Sequence, residues 1–324
     1  MTRIGSLADT RLLDWDVDAS IYVSLALLRP GSRISPRYLY AYTKSQAFVR
    51  GVEDLSLLWA VPKKINMGDI RKVEVRFPKD AREQEAIADA LIDAEHSVKS
   101  LQSLIAKKQA IKQGMMQHLL TGRTRLPGCV DPWRVAPFED LASPARERAD
   151  PRSVSESTRL VELEHIESVS GRLGQAATAH GSVSLKTVFR PGDVLFGKLR
   201  AYLRKYWLAD SSGVCSTEIW ALRAKAGTTS GYLRYLVETE RFIEVATVGY
   251  GTHMPRSDWG MVRGLEFAVP EVEEQEMIVA ILADADREID ALHARLAKAQ
   301  AIKQGMMQEL LTGRTCLPIE EVAS

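Results

Sequence analysis

The sequence predicts an α+β chain: domains of twisted β-sheet and helices, joined by two long helices packed as an antiparallel coiled coil. Three observations predict it. QAIKQGMMQ stands at 109–117 and again at 300–308, and LLTGRT at 119–124 returns at 310–315, a constant shift of 191 residues. Each copy closes a long run of apolar residues at heptad spacing. The region between the copies consists of short apolar runs broken by Gly and Pro, the pattern of strands and turns. Self-similarity at a fixed period marks a duplicated unit, here a variable segment followed by a constant one, twice.

The match extends backwards at the same shift. EQE at 83–85 answers EQE at 274–276, and Ile87, Leu91, Ala94 and Leu101 answer Ile278, Leu282, Ala285 and Leu292. Further upstream ISPRYLYAY around Tyr38 is similar to TSGYLRYL around Tyr232, and VRFP ending at Pro78 is similar to EFAVP ending at Pro270. These matches divide the chain into a partial first variable domain (1–78), a first helix segment (79–125), a complete second variable domain (126–270), a second helix segment (271–316) and a tail (317–324). The first domain is the shorter, and its deficit lies at the front, where no counterpart of Lys186–Lys205 is expected.

In the first helix segment Ile87, Leu91, Ala94, Val98, Leu101 and Ile105 recur at steps of four and three, and Met115 and Leu119 resume the register after Lys108 and Lys112. A stripe this narrow calls for another helix rather than a broad domain surface. From 80 to 95 there are six acids against Arg82 alone, and from 99 to 125 six Lys and Arg residues and no acid. An antiparallel partner sets each acidic half beside a basic half, and the same polarity suits each helix dipole. Gly114 sits inside KQGMMQ at a helix cost of about 1 kcal/mol relative to Ala. It is explained by close approach of a partner backbone or by a kink. Gln113, Gly114, Met115 and Met116 are therefore candidate docking residues, methionine being an adaptable contact side chain.

The second variable domain begins at DPWRVAPFEDLAS. Its strand-like runs are TRLVELEHI, TVFRPGDVLFGKLRAYL and VCSTEIWALRA, with a helix expected near GYLRYLVETERFIEVA. Between 186 and 206 the cations Lys186, Arg190, Lys198, Arg200, Arg204 and Lys205 face only Asp193, with Phe196, Tyr202, Tyr206 and Trp207 in and beside the run. Cations that neutralise phosphates beside aromatics suit nucleic acid; a solvated strand face is the alternative. GYGTHMPRSDWG at 249–260 reads as an exposed loop offering Thr252, His253 and Arg256 to phosphates or base edges. Its counterpart in the first domain, VPKKINMGD, offers Lys63, Lys64 and Asn66.

The second helix segment repeats the first. Ile278, Leu282, Ala285, Ile289, Leu292, Leu296, Ala299, Met306 and Leu310 form its seam, and Gln304, Gly305, Met306 and Met307 its candidate docking patch. Eight acids against Arg287 at 271–290 give way to Arg295, Lys298, Lys303 and Arg314 against Glu309. A helix of about 44 residues would span about 65 Å at about 1.5 Å per residue, long enough to space two domains.

Composition excludes several classes. With 324 residues, 45% hydrophobic and 26% charged, the chain suits about two globular domains, and a net charge of +1 supplies no general field for polyanions, so nucleic-acid binding must come from local patches. Cys129, Cys215 and Cys316 are isolated, which argues against a disulfide framework or zinc site and for a reducing cytoplasm. No run suggests a membrane span, and the opening residues lack the apolar core of a signal peptide. GDVLFGKL at 192–199 has Leu199 where a phosphate-binding loop needs Ser or Thr. DPW at 131–133 lacks the second proline of an Asp-Pro-Pro-Tyr methyltransferase site, and Glu273–Glu274 read as surface charge on a solvated helix face. No nucleophile is spaced to use His253. No catalytic constellation is visible, so a free-standing enzyme is disfavoured; a protein-binding interaction module without DNA specificity remains the other class.

The order variable–constant–variable–constant, with EQE opening each constant helix and QAIKQGMMQ and LLTGRT closing it, resembles the specificity (S) subunit of type I restriction-modification systems, and GDVLFGKLRAYLRKYW is similar to a strand-rich stretch of that family's target recognition domains. The resemblance covers nearly the whole chain. It implies a non-catalytic subunit with two target recognition domains, each reading half of a bipartite double-stranded DNA sequence, separated by the helix pair. It further implies that the helices dock methyltransferase (M) subunits, that a restriction (R) subunit joins for cleavage, and that S-adenosylmethionine, ATP and Mg are held by those partners and none by this chain. The short first domain departs from the pattern. A misassigned start, a gene fragment and a half-length form that needs a second S copy are the three explanations left open.

Overall fold

The computed structural model describes residues 1–175, 177–179, 184–248 and 255–317. In chain order the helices and strands are α1 (Pro36–Thr43), α2 (Gln46–Asp54), α3 (Met67–Ile70), α4 (Ala81–Leu119), β1 (Arg134–Pro137), α5 (Phe138–Leu141), β2 (Ala142–Pro144), β3 (Arg148–Ala149), β4 (Arg159–Val161), β5 (Ala177–Thr178), β6 (Lys186–Phe189), β7 (Val194–Gly197), β8 (Tyr206–Leu208), β9 (Gly213–Cys215), β10 (Ile219–Ala224), α6 (Ser230–Leu236), α7 (Glu240–Thr247), α8 (Trp259–Val262), β11 (Glu266–Val269) and α9 (Val272–Leu310). They form two compact units, Lys107–Ile289 and Met1–Ala106 with Asp290–Ser324, so α4 and α9 each contribute to both. Apart from Leu317, the expected tail lies outside the described residues.

The unit of residues 107–289 is built around a four-stranded sheet, β2-β10-β7-β8, with all neighbours antiparallel. Side chains alternate across a strand, and here both faces are covered. Val194 and Phe196 of β7, Tyr206 of β8 and Leu222 of β10 share a core with α5, α6, α7 and the ends of α4 and α9. Leu195, Trp207, Ile219 and Ala221 point the other way, onto Val161, Phe189 and Cys215 of a five-stranded sheet, β3-β6-β9-β4-β5. This two-sided burial is why VLF reads as an uninterrupted apolar run. β1 and β11 close the unit as an antiparallel pair. The single helix expected near 231–246 is two helices, because Thr229 caps α6 through Tyr232 N and Thr239 starts a second cap through Phe242 N.

The first unit repeats the later half of that arrangement in its helix caps and in the glutamine bonds that anchor the long helices. Ser35 and Ser45 cap α1 and α2 as Thr229 and Thr239 cap α6 and α7. Tyr38 and Tyr232 are the fully buried anchors of α1 and α6. Gln84 accepts from Ser35 N at 2.7 Å and donates to the carbonyls of Arg33 and Pro78; Gln275 accepts from Thr229 N at 2.8 Å and donates to those of Gly227 and Pro270. The middle residue of each EQE motif thus ties its helix to the capped helix and to the loop before it.

The equivalence corrects in part the expectation that nothing in the first unit answers Lys186–Lys205, because 197–205 have a counterpart while 186–196 have none among the described residues. Arg3 N donates to Ser24 O and Gly5 N to Lys63 O, as Lys198 N donates to Glu218 O and Arg200 N to Pro255 O. Thr2 N reaches Asp9 O where Gly197 N reaches Lys205 O. Residues 2–9 therefore occupy the place of 197–205. The signal escaped sequence comparison because the match lies in backbone geometry while few side chains agree. Residues 74–77, equivalent to β11, form no strand; in the other unit β11 is completed by β1.

The helices pair antiparallel, as their charge pattern predicts. In the first unit Ile87, Ala88 and Leu91 of α4 share a core with Leu310, and with Met306 and Met307 packed against it. In the second, Met116 and Leu119 of α4 share a core with Ile278 and Leu282 of α9. Val98, Ile105, Ile289 and Leu292 are buried seam residues, whereas Leu101 and Leu296 are half-buried. Two ion pairs obey the repeat. Lys112 reaches Asp286 at 2.7 Å, and Lys303, one repeat on, faces Glu95, one repeat back from Asp286, at 3.9 Å.

α4 and α9 are continuous helices through Gly114 and Gly305, and a Cβ added at either would meet nothing of this chain within 4 Å. Two expectations for the helices need correction. Met116 is buried in the chain's own core, and Met115, Met306 and Met307 pack against these cores, so the methionines do not form an open patch; Gln113 and Gln304 are exposed. Glu274 is not surface charge either. It is buried, accepts from Arg125 Nε and Nη2 at 2.9 Å each, and takes a third bond from Trp133 Nε1. Burial pushes its carboxyl up, but those donors hold it below the usual range.

Candidate nucleic-acid interface

The cationic segment between β7 and β8 is the tip of a hairpin. β7 ends at Gly197, where a Cβ would come within 2.7 Å of the Leu163 side-chain tip, so a larger residue there would make Leu163 shift. The chain then turns through a single 3₁₀ turn, Ala201–Leu203, flanked by Arg200 and Arg204, both left-handed with φ of 54° and 51°. A backbone bridge between Leu199 and Arg256 fastens the tip to the segment before α8, together with bonds from Arg200 N to Pro255 O and from Ser257 N to Lys198 O. The two stretches named from sequence, 186–205 and 249–260, are thereby brought together at Lys198–Arg200 and Pro255–Ser257.

The cations are not equivalent. Lys186 is buried and pairs with Glu162 at 2.8 Å, which corrects its expected place on an open basic face. Arg190 pairs with Glu147 and Arg256 with Glu218, at 2.9 and 2.8 Å. Arg204 pairs with Glu240 of α7, and Lys205 donates to the carbonyl of Leu163 at 2.6 Å. Of these six cations and Arg256, Lys198, half-buried, and Arg200, exposed, are the two whose side chains have no partner among the described residues. Tyr202, at the tip of the turn, is 52% exposed. Tyr206 and Trp207, by contrast, are core residues, and Tyr206 donates to Val169 O. Thr252 and His253 lie outside the described residues.

In the first unit Lys63 and Lys64 are exposed and unpaired among the described residues, while the Asn66 amide donates to Asp69 at the start of α3. Lys64 forms backbone bridges with Ile4 and Leu57, as Arg256 does with Leu199. Arg3 stands where Lys198 stands in the second unit and was not visible in the sequence as a site residue. Its signal would have been the cation before an apolar residue and a turn, too short to find without the backbone.

Among the described residues no group of three or more His, Cys, Asp or Glu is placed to hold a metal. Cys215 is buried, and burial pushes its thiol up to about 12, which removes it as a nucleophile near neutral pH. No helix among the described residues is long and apolar enough to cross a membrane.

No protein-family model matches the chain. A curated relative, the type I restriction enzyme EcoDI specificity subunit of Escherichia coli, is 24% identical over 209 residues, 64% of this chain and 45% of the relative, so the chain spans about half the length of the protein it matches. Among solved structures, a type I restriction-modification S subunit from M. genitalium aligns with a TM-score of 0.57 at 13% identity, covering 86% of this chain and 73% of the other. A chain from a structure on complex assembly and conformational transition of the type I R-M system aligns with a TM-score of 0.52 at 16% identity, covering 86% and 71%. In sequence this chain is similar to type I restriction specificity subunits, and it has their mixed sheet and paired-helix fold.

Proposed function

We propose that this chain is the DNA-specificity subunit of a type I restriction-modification complex. It is non-catalytic: it reads duplex DNA, and its helix pair is the scaffold for methyltransferase subunits, with a restriction subunit joining the assembly. S-adenosylmethionine, ATP and Mg then belong to those partners, and the complex works in the cytoplasm. The observation that carries the reading is the fold shared with S subunits, set beside a hairpin tip with two unpaired cations, the half-buried Lys198 and the exposed Arg200. The second unit supplies one half-site reader. The first unit repeats only its later half, with Arg3, Lys63 and Lys64 in the equivalent place, so a second half-site is read either by this shorter frame or by a second copy of the chain.

The test is co-expression with the methyltransferase subunit and mapping of methylated bases. A bipartite motif supports the reading, a palindrome built from one half-site supports pairing of two copies, and a stable complex with no selective methylation contradicts it. Lys198, a point charge at the end of β7, is expected to contact phosphate. Lys198→Ala should weaken binding to all duplex sequences alike and lower the slope of log K against log salt by about 1. An unchanged slope removes Lys198 from the interface.

A further inference from the structure

Resting on the specificity reading, we infer that Arg200 is a base-reading residue of the second unit, its guanidinium taking a guanine edge in the major groove while Lys198 holds phosphate. Two independent observations meet at this side chain. The first is its backbone. Arg200 holds φ of 54°, a left-handed conformation unfavourable for a residue with a Cβ. The chain contains its own glycine solution to the same turn: Gly5, with φ of 81°, occupies the equivalent position, donating to Lys63 O as Arg200 donates to Pro255 O. A Cβ at Gly5 would meet nothing within 4 Å, so glycine there serves the backbone and not a crowded neighbour. Where the repeat shows that glycine suffices for the fold, strain kept at an arginine points to a use for the side chain.

The second observation is that this side chain is unspent. Arg190, Arg204 and Arg256 are each held by a glutamate, whereas the exposed Arg200 guanidinium has no partner among the described residues. Its backbone is nonetheless fixed on both sides, by Arg200 N to Pro255 O at 2.9 Å and Leu203 N to Arg200 O at 2.9 Å, and Arg204 ties the end of the turn to α7 through Glu240. A phosphate contact tolerates a loosely held cation, but a bidentate contact with O6 and N7 of guanine needs a planar fork on a fixed base. The neighbouring exposed Tyr202 gives the tip a flat apolar side chain to lie against the groove wall.

The experiment is selection from a random-sequence duplex library by the full chain co-expressed with its methyltransferase subunit, comparing wild type with Arg200→Gly and Arg200→Lys. Wild type should enrich a motif. Arg200→Gly, which installs the residue of the first unit, should enrich the same motif degenerate at one G·C pair, with affinity for the original site reduced about tenfold and no fall in melting temperature. Arg200→Lys keeps the charge but not the fork, and should behave as the glycine variant does. An unchanged motif in Arg200→Gly, full specificity in Arg200→Lys, or a lowered melting temperature in Arg200→Gly each overturns the inference while leaving the specificity reading in place. A wild-type chain that enriches no motif overturns both.

Discussion

Replacing Lys112 by Met is expected to destabilise the chain by about 3 kcal/mol, since removing one partner from a buried ion group strands the opposite charge. Lys112 lies in the α4 seam, buried, with its ammonium 2.6 Å from Glu238 and 2.7 Å from Asp286 and over the Tyr235 ring. Arg234 also meets Asp286, at 2.7 Å, so two cations and two carboxylates from α4, α6, α9 and the residue following α6's C-cap form one cluster. Lys303→Met is the internal control. Its ammonium is partly exposed and 3.9 Å from Glu95, and its loss should cost less than about 1 kcal/mol. Urea unfolding of the two variants checks the contrast, and equal costs would show that burial does not set the strength of these pairs.

The same cluster sets a pH dependence. Burial pushes the Asp286 carboxyl up, but Arg234 and Lys112 outweigh it and hold the group below its ordinary value. A depressed carboxylate stabilises the fold above the ordinary aspartate range, and that contribution is lost as pH falls through the depressed value. In Lys112→Met one of the two cations is gone, so Asp286 takes up its proton at higher pH. Acid unfolding of the variant should therefore begin at higher pH than in wild type, and coincident acid transitions would contradict the assignment.

What the sequence made legible follows from the range of the interactions concerned. The antiparallel pairing could be read because charge and apolar period are properties of one helix at a time, and the seam Ile87–Leu91 against Met306–Leu310 satisfies both. The basic run was only half legible. Whether Lys186 lies open or closed depends on Glu162, 24 residues away in the chain, and whether Arg204 is free depends on Glu240, 36 away. A list of cations cannot show which are already neutralised. Residues 2–9 escaped for a related reason: Gly5 and Arg200 do the same backbone work with unlike side chains. Glu274 failed in the opposite sense. In a helix opening rich in acid it looked like solvated charge, yet Arg125 and Trp133, more than 140 residues earlier, enclose it.

Gln275→Ala is expected to cost about 3 kcal/mol, and Gln84→Ala about the same in the first unit, because each buried amide satisfies three backbone groups at once. Without the side chain, Thr229 N loses its acceptor at the entry to α6, and the carbonyls of Gly227 and Pro270 lose a shared donor. An alanine leaves those groups bare in a space too confined to give each of them bulk water. Gln275→Glu separates the two halves of this role: the carboxyl can still accept from Thr229 N, but when ionised it faces two carbonyl oxygens with no proton to offer. Its folded-state pKa is then raised, so the variant's stability is retained at low pH and lost as pH rises through that value, the reverse of Asp286. Thermal unfolding across pH distinguishes the cases, and a Gln275→Glu variant as stable at neutral as at acid pH would show that the two donated bonds carry none of the anchoring. Because Gln275 ties α9 to the loop that starts α6, and α6 packs against the sheet whose β7–β8 hairpin carries Arg200, an alanine there should also weaken discrimination by that hairpin in the random-library selection.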